Sequence, residues 1–341
     1  MENQILVGGP GGEMTLPIED LDRLRSQADN LAATSVGVGT RRAYNGAWRR
    51  FRNWCAHLYL YPFAAENIPL YVGHLVEGGL SVPTIRVALA AISAAYRRGG
   101  LALDLREPKL AAVVEGSMRR IGAAPRRQAT PVSVDLLRAM LSHCGGGNPA
   151  LVARGRAMLL IGFGAALRRS ELVGLRIADV APVEGRGVTV TIRQSKTDQR
   201  GEGQQVAIWS NQADQQCCPV RALEAWLAHR RQADDLPGSE ESDRPLFCAI
   251  RRDGVLTGEG LSDKAVVRLV KDAARRAGCD PRDFSGHSLR AGLITAAAEA
   301  GAELPGVMRQ ARHVAPGTTM RYYRPSSLWK NNVTAGIFGD G

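Results

Sequence analysis

A ten-residue segment without hydrophobic periodicity, residues 122–131, most strongly limits how this chain can fold. It reads Gly-Ala-Ala-Pro-Arg-Arg-Gln-Ala-Thr-Pro and combines two prolines with small and basic residues. Such a composition is typical of a linker. The chain has 341 residues, whereas single domains usually hold about 100–200. The sequence therefore predicts two domains joined by a linker at 122–131.

The residues before this segment have only helical periodicity. Tyr44, Trp48, Phe51 and Cys55 form an apolar stripe in a helix that we expect Thr40 to cap. Further helices are predicted for residues 67–77, 84–98 and 107–121. In the helix at 84–98 the apolar stripe consists of Ile85, Leu89, Ile92 and Tyr96. Residues 1–34 are acidic and weakly periodic, so we interpret them as a flexible lead-in to a helical domain at 35–121.

The residues after the linker combine helical with strand patterns. Alternation over 188–193 and 205–209 predicts two strands joined by a polar turn that contains Lys196. A short strand is expected within 245–250. Helical patterns cover residues 132–144, 151–167, 170–175, 218–232, 261–277, 287–300, 304–311 and a stretch from Thr318 towards Tyr323. The predicted fold is mainly α, with a small antiparallel sheet in the second domain, residues 132–341.

Positive charge is concentrated in the helical first half. The chain carries 44 Lys+Arg against 33 Asp+Glu, and residues 31–128 hold fourteen basic and five acidic side chains. This imbalance is typical of a protein that binds a polyanion, although a solvated basic surface has the same composition. Nine arginines outside the apolar stripes are the candidate DNA contacts: Arg42, Arg49, Arg50, Arg52, Arg86, Arg97, Arg98, Arg126 and Arg127.

Several protein classes are excluded by what the sequence lacks. Its apolar runs are far shorter than the ~20 residues that span a bilayer, and it begins with no signal peptide pattern. Six cysteines without a Cys-x-x-Cys pair favour reduced thiols in the cytoplasm. With no Gly-x-x-x-x-Gly-Lys-Ser/Thr motif and no carboxylate cluster, we expect neither ATP nor a metal as cofactor.

Three segments of the second half carry residues suited to chemistry on a phosphate ester. Arg168 and Glu171 lie in Leu-Arg-Arg-Ser-Glu-Leu, His287 and Arg290 form a His-x-x-Arg motif, and a further histidine precedes Tyr322 by nine residues. Each motif alone is weak, because an Arg-x-x-Glu is usually a surface pair on a helix. Their common order and spacing make a specific pattern.

This pattern resembles the tyrosine recombinases, the integrase family of site-specific DNA recombinases. That family has an arginine in Leu-Arg-x-Ser-Glu-Leu, a lysine on a β-hairpin turn, His-x-x-Arg, then a His or Trp followed nine residues later by the tyrosine. The resemblance covers roughly residues 35–335, and length and layout are most similar to the Cre type. It implies an all-α, SAM-like core-binding bundle followed by an α+β catalytic domain of the DNA breaking-rejoining type.

The resemblance implies roles for seven residues, and these roles suit the residue types. The six catalytic positions are Arg168, Lys196, His287, Arg290, His313 and Tyr322, with Glu171 in support. Two arginines would clamp the phosphate bidentately, helped by a hydrogen bond from the second histidine. The first histidine would donate a hydrogen bond to the tyrosine or act as its base, and the lysine would protonate the leaving 5′ oxygen. The tyrosine would form a covalent 3′-phosphotyrosine, which conserves the ester bond energy.

Three positions leave local choices. Tyr322 and Tyr323 are adjacent, and the spacing from His313 favours Tyr322. Likewise the three-residue offset to Glu171 favours Arg168 over its neighbour Arg169. Arg312 stands where the family commonly has glycine, which leaves the geometry of that helix end open.

The resemblance also implies partners and leaves alternatives. It implies double-stranded DNA with inverted-repeat half-sites, bound by a dimer per site and a tetramer in the synapse, in a bacterial or phage-derived protein of the cytoplasm and nucleoid. Residues 326–341 contain five large apolar residues that could dock on a neighbouring protomer or cap their own domain. The alternatives are a non-cleaving architectural DNA-binding relative, a type IB topoisomerase and a telomere resolvase.

Overall fold

The computed structural model divides at Arg127, inside the segment predicted to be a linker. Its two units are Met1–Arg127 and Gln128–Gly341. The residues that the structure describes are 4–7, 14–17, 20–27, 37–122, 129–144, 147–193, 203–232, 241–322 and 334. Arg126, most of the segment 122–131 and almost all of 326–341 thus lie outside the described residues, so the interpretations of those segments stay predictions.

The first unit is helical apart from one pair of short strands. Strands β1 and β2 pair antiparallel, with Gln4 opposite Pro17. The elements of this unit are β1 (Gln4–Val7), β2 (Met14–Pro17), α1 (20–27), α2 (Val38–His57), α3 (Asn67–Glu77), α4 (Val82–Arg98) and α5 (Pro108–Ile121). The prediction that Thr40 caps α2 was wrong. The helix begins at Val38 with Gly37 as its N-cap, and Thr40 lies inside the first turn, which the hydrogen bond from the Arg41 amide to the Gly37 carbonyl closes at 3.0 Å.

The two predicted apolar stripes, apart from Tyr44, lie in the core of the first unit. Phe51 and Cys55 of α2 are completely buried, as is Ile92 of α4. Aromatic rings interlock around them, with centroids 4.9 Å apart for Phe51 and Tyr71. Because these stripes face inward, the arginines of both helices remain exposed on the outer faces.

The second unit packs helices around a three-stranded antiparallel sheet and a separate two-stranded one. In the larger sheet β4 lies between β3 and β5, with Val190 opposite both Val180 and Val206. The strands are β3 (Val180–Val183), β4 (Gly187–Ile192), β5 (Gln204–Trp209), β6 (Cys248–Ile250) and β7 (Leu256–Gly260). The helices are α6 (Val134–Ser142), α7 (Pro149–Gly164), α8 (Arg169–Gly174), α9 (Pro219–Gln232), α10 (Asp263–Arg276), α11 (Ser288–Glu299), α12 (Leu304–Ala311) and α13 (Pro316–Met320).

The mainly α fold with small antiparallel sheets is confirmed, with local differences. β3 was not predicted because it contains Pro182, which lacks a backbone N–H and is tolerated at the edge of a sheet. Helix α13 begins at Pro316 rather than Thr318, since proline suits the first turn of a helix. No helix in the described part of the chain is both long and apolar enough to cross a bilayer.

Candidate active site

Five of the six predicted catalytic residues lie at the ends of helices in the second unit. Arg168 is the N-cap of α8, His287 is the N-cap of α11, and Arg290 lies in the first turn of α11. His313 follows α12 and Tyr322 follows α13. Helix ends suit such residues, because a short connection can aim a side chain while the helix holds its backbone. The sixth residue, Lys196, comes between β4 and β5 in the chain and lies outside the described residues.

The Tyr322 hydroxyl is hydrogen bonded to a histidine. Its oxygen lies 2.6 Å from Nε2 of His287. The ring of His313 stacks on the phenol, with centroids 6.0 Å apart and an angle of 19° between the planes. Below, Tyr322 packs against an apolar cluster that includes Val307 and Ala311. These contacts hold the phenol in place and direct its oxygen towards an imidazole nitrogen that can accept a proton.

Glu171 holds the Arg168 side chain and its backbone at once. Its Oε1 accepts a hydrogen bond from Arg168 Nη1 at 2.5 Å, and its Oε2 accepts one from the Arg168 backbone N–H at 2.9 Å. Arg169, the neighbouring residue, instead pairs with Asp263 at the surface, at 2.9 Å. The two adjacent arginines therefore have different partners, and it is Arg168 that extends into the site.

Arg290 is almost completely buried beneath the site, with 1% of its surface exposed. Its Nη1 donates to the carbonyl of Ala166 at 2.7 Å and its Nη2 donates to the carbonyl of Ala311. These bonds use two of the five N–H groups of the guanidinium. Burial and the nearby charges of Arg168 and Arg312 lower the pKa of Arg290 to about 10, so it remains charged at neutral pH.

Both histidines of the site are neutral at neutral pH. Burial, reinforced by the positive charges of Arg290 and Arg168, lowers the pKa of His313 to about 4. The pKa of His287 is lowered by the same causes, although that residue remains exposed. Nδ1 of His313 is hydrogen bonded to the buried hydroxyl of Thr319 at 2.8 Å, which fixes the ring. A neutral His287 is the form able to accept the Tyr322 proton.

The phenol of Tyr322 keeps its proton until a base takes it. Burial raises the pKa of Tyr322 above its ordinary value, and the charges of Arg290 and Arg168 offset part of that rise. The same two guanidinium groups would stabilise a phenolate more strongly than the neutral phenol. An anionic ester bound beside them would meet a nucleophile and a base in hydrogen-bond contact.

Two neighbours of the site were not found from the sequence as functional residues. Arg312 is buried and bonds to Glu171, and Thr319 holds His313. A usable signal existed for Arg312, because it occupies the position where the integrase family commonly has glycine. No sequence pattern pointed to Thr319, whose role depends on the fold of α13.

The predicted DNA-contact arginines belong to the first unit. Seven of them lie on α2 and α4, and all seven are exposed: Arg42, Arg49, Arg50, Arg52, Arg86, Arg97 and Arg98. Three of these, from the two helices, line a common cavity of about 530 Å³ together with Trp48: Arg49, Arg52 and Arg98. Arg126 and Arg127 lie outside the described residues.

Comparison with known proteins shows the family to which the chain belongs. Residues 134–327 match the phage integrase family. The chain is 30% identical over 322 residues to the integrase/recombinase xerD homolog of Selenomonas ruminantium, covering 93% of this chain and 90% of that protein. The chain belongs to the phage integrase family of tyrosine recombinases. Another relative, recombinase cre of Escherichia phage P1, is 26% identical over 297 residues and covers 80% of this chain and 81% of that one.

Solved structures of tyrosine recombinases share the fold. The Tn1549 transposon integrase in complex with transposon right end DNA superposes with a TM-score of 0.60 at 16% identity, covering 89% of this chain and 95% of that one. A lambda integrase dimer bound to a core site gives 0.54 at 15% identity, with coverage of 88% and 94%. These likenesses show that the chain has the fold of these integrases over most of its length, and its family membership makes it an enzyme of the tyrosine recombinase class.

Proposed function

We propose that this tyrosine recombinase cleaves and rejoins DNA through a covalent 3′-phosphotyrosine at Tyr322, and exchanges strands through a Holliday junction without metal or ATP. The observation that carries the proposal is the 2.6 Å hydrogen bond between His287 Nε2 and the Tyr322 hydroxyl. That bond lies among arginine side chains suited to a phosphate. The proposal also rests on membership of the family, within which the order of the six residues is preserved in this chain.

The cleavage step transfers a phosphoryl group without net loss of a bond. Tyr322 Oη forms a bond to phosphorus as the bond to the 5′ oxygen breaks. The phenol proton passes to His287 Nε2, and the departing 5′ oxygen takes a proton from Lys196. Arg168 and Arg290 neutralise charge on the two non-bridging oxygens, with a hydrogen bond from His313. The ester energy is retained in the phosphotyrosine, so a 5′ hydroxyl from another strand can reverse the step.

The proposed substrate is double-stranded DNA with inverted-repeat half-sites, in the cytoplasm or nucleoid of a bacterium. A dimer would occupy each site and a tetramer the synapse of two sites. The exposed arginines of α2 and α4 support this proposal, because rows of Arg side chains neutralise a phosphate backbone. The residues from 35 to 121 would therefore act as the core-binding domain and 132–341 as the catalytic domain.

Trapping of a covalent adduct tests the proposal. The cognate site is first found by selection of bound fragments from random DNA. Protein incubated with nicked DNA of that site should then give a covalent protein–DNA band on a denaturing gel. We expect Tyr322→Phe to abolish this band, since the nucleophilic oxygen is removed, and Tyr323→Phe to retain it. The yield should be unchanged in EDTA.

Three results would contradict the proposal. An adduct that survives in Tyr322→Phe and is lost in Tyr323→Phe moves the nucleophile by one residue. Loss of cleavage in EDTA contradicts the metal-free step. Binding of the selected site without any adduct favours a non-cleaving, architectural DNA-binding protein.

A further inference from the structure

Arg312 occupies a backbone conformation that glycine fits best. It follows α12 as a left-handed cap with φ 54° and ψ 49°. A residue with a Cβ is disfavoured in this conformation, whereas glycine adopts it freely. Contacts of the arginine side chain must therefore offset the unfavourable backbone conformation.

The Arg312 side chain is buried and hydrogen bonded at both terminal nitrogens. Nη1 donates to the carbonyls of Ala165 and Gln310, at 2.8 and 3.0 Å. Nη2 donates to the carbonyl of Ala166 at 3.0 Å and to Glu171 Oε2 at 2.9 Å. The side chains of Arg312 and Glu171 are only 2% and 3% exposed. Burying a charge at this depth is unfavourable unless it is paired, and these four acceptors supply the pairing.

Glu171 connects Arg312 to the arginine of the predicted phosphate clamp. Its Oε2 accepts from both Arg312 and the Arg168 backbone, and its Oε1 accepts from the Arg168 guanidinium. Burial alone would raise the pKa of Glu171, but the hydrogen bond from the Arg168 backbone and the charges of Arg312 and Arg168 hold it below its ordinary value. Arg312 is buried and Arg168 is 21% exposed in its side chain, so Arg168 is the member that a substrate can reach.

We propose that Arg312 is a positioning residue for strand cleavage, and that it acts through Glu171 by holding the carboxylate that aims the Arg168 guanidinium. The inference rests on the proposed function, because it assigns Arg312 a part in that reaction. Glycine at this position would relieve the backbone but leave the carboxylate with Arg168 as its partner. Lysine would keep the charge but lose the planar fork, which a single ammonium cannot replace at four acceptors.

The test compares four proteins in single-turnover adduct formation on nicked cognate DNA at saturating protein: wild type, Arg312→Gly, Glu171→Gln and the double variant. We expect Arg312→Gly to form adduct about 10- to 100-fold more slowly, the range typical of a misplaced catalytic group, with the Kd for DNA unchanged within about twofold. In the Glu171→Gln background the further change to glycine should have little effect, because the route from Arg312 to Arg168 is already broken.

Two controls separate positioning from folding. Arg309→Gly removes a positive charge and introduces glycine on the same helix, at an exposed residue, and should leave the adduct rate unchanged. Thermal unfolding of each variant reports its stability. If Arg312→Gly does not fold, Arg312→Lys replaces it in the same comparison. We expect Arg312→Lys also to form adduct more slowly than wild type.

The outcomes are distinguishable. An adduct rate equal to wild type in Arg312→Gly, or in Arg312→Lys where that variant is used, overturns the inference. Effects of the two single substitutions that multiply in the double variant also overturn it, since Arg312 then acts by a route other than Glu171. Failure of wild type itself to form adduct overturns the proposed function instead.

Discussion

At the scale of single residues, hydrogen-bond partners rather than residue type distinguish the residues of the site from their neighbours. Arg168 and Arg169 are chemically identical, yet the first is bound to the buried Glu171 and the second to the half-exposed Asp263. The Tyr322 hydroxyl is likewise distinguished by its hydrogen bond to His287. The sequence offsets favoured Arg168 and Tyr322, and the contacts of the described residues give both choices a physical reason.

The pH dependence of cleavage should report the protonation of His287. Its pKa lies below the ordinary value of about 6.5, because burial and the charges of Arg290 and Arg168 disfavour the imidazolium. A protonated His287 cannot accept the Tyr322 proton. We therefore expect the rate of adduct formation to be level around neutral pH and to fall only in acid, at a lower pH than an ordinary histidine would give.

Substitution of each histidine identifies the titrating group. His287→Gln should be slower and should lose the decline at acidic pH. His313→Gln should be slower but retain that decline. An acidic decline that persists unchanged in His287→Gln would show that another group is the base.

At the scale of elements, α11 must pack tightly to position Arg290. A Cβ on Gly292, in the middle of this helix, would lie 2.1 Å from the carbonyl oxygen of Val132 and 3.0 Å from the ring of Phe163. The same region is tied by the Val132 amide, which donates to the Ser288 carbonyl at 3.0 Å. Glycine at 292 thus lets the helix approach the segment that leads into α6.

Gly292→Ala should destabilise the second unit. Backbone must move to admit the methyl group, so we expect the free energy of unfolding to fall by about 2 kcal/mol, within the range for overpacked cores. Chemical denaturation measures the change. Gly306→Ala is the matched control, because a Cβ there meets no atom within 4 Å and alanine favours a helix. Equal stability of Gly292→Ala and wild type would contradict the packing argument.

At the scale of the whole molecule, our proposal assigns affinity for DNA to the first unit and strand cleavage to the second. The first unit holds the exposed arginines of α2 and α4, whereas the second holds the phenol, the two histidines and the buried arginines. The positive charge of the first unit should strengthen binding to DNA of any sequence, since phosphate contacts carry little sequence information.

Salt dependence of DNA binding tests this assignment. Replacing Arg49, Arg52 and Arg98 by Gln should reduce the slope of log K against log salt by about 2–3, since each phosphate contact contributes about 0.9. The matched control replaces Arg23, Arg25 and Arg119, which pair with Asp20, Asp22 and Glu115 on their own helices. The control has the same change of charge and should keep the wild-type slope. Equal slopes in both triple variants would contradict a role of the cavity arginines in binding DNA.

Much of the fold followed from local patterns. The helices at Asn67–Glu77 and Leu304–Ala311 were predicted to the residue, because apolar spacing and flanking turn residues are local signals. Strands β4 and β5 were predicted within one residue at each end. β3 was missed, since an edge strand containing Pro182 exists by pairing with β4 and has no strong pattern of its own.

The sequence by itself determined the inward faces of α2 and α4 and the ordered set of residues that resembles the tyrosine recombinases, and it predicted a division into two domains. The tertiary structure decided which of these residues are buried, which hydrogen bonds they make and in which direction their pKa values move. Arg312 and Glu171 are 141 residues apart in the chain yet form a buried ion pair. Periodicity and motifs describe neighbours along the chain, whereas burial and electrostatic interactions depend on distances through space, which exist only in the folded protein.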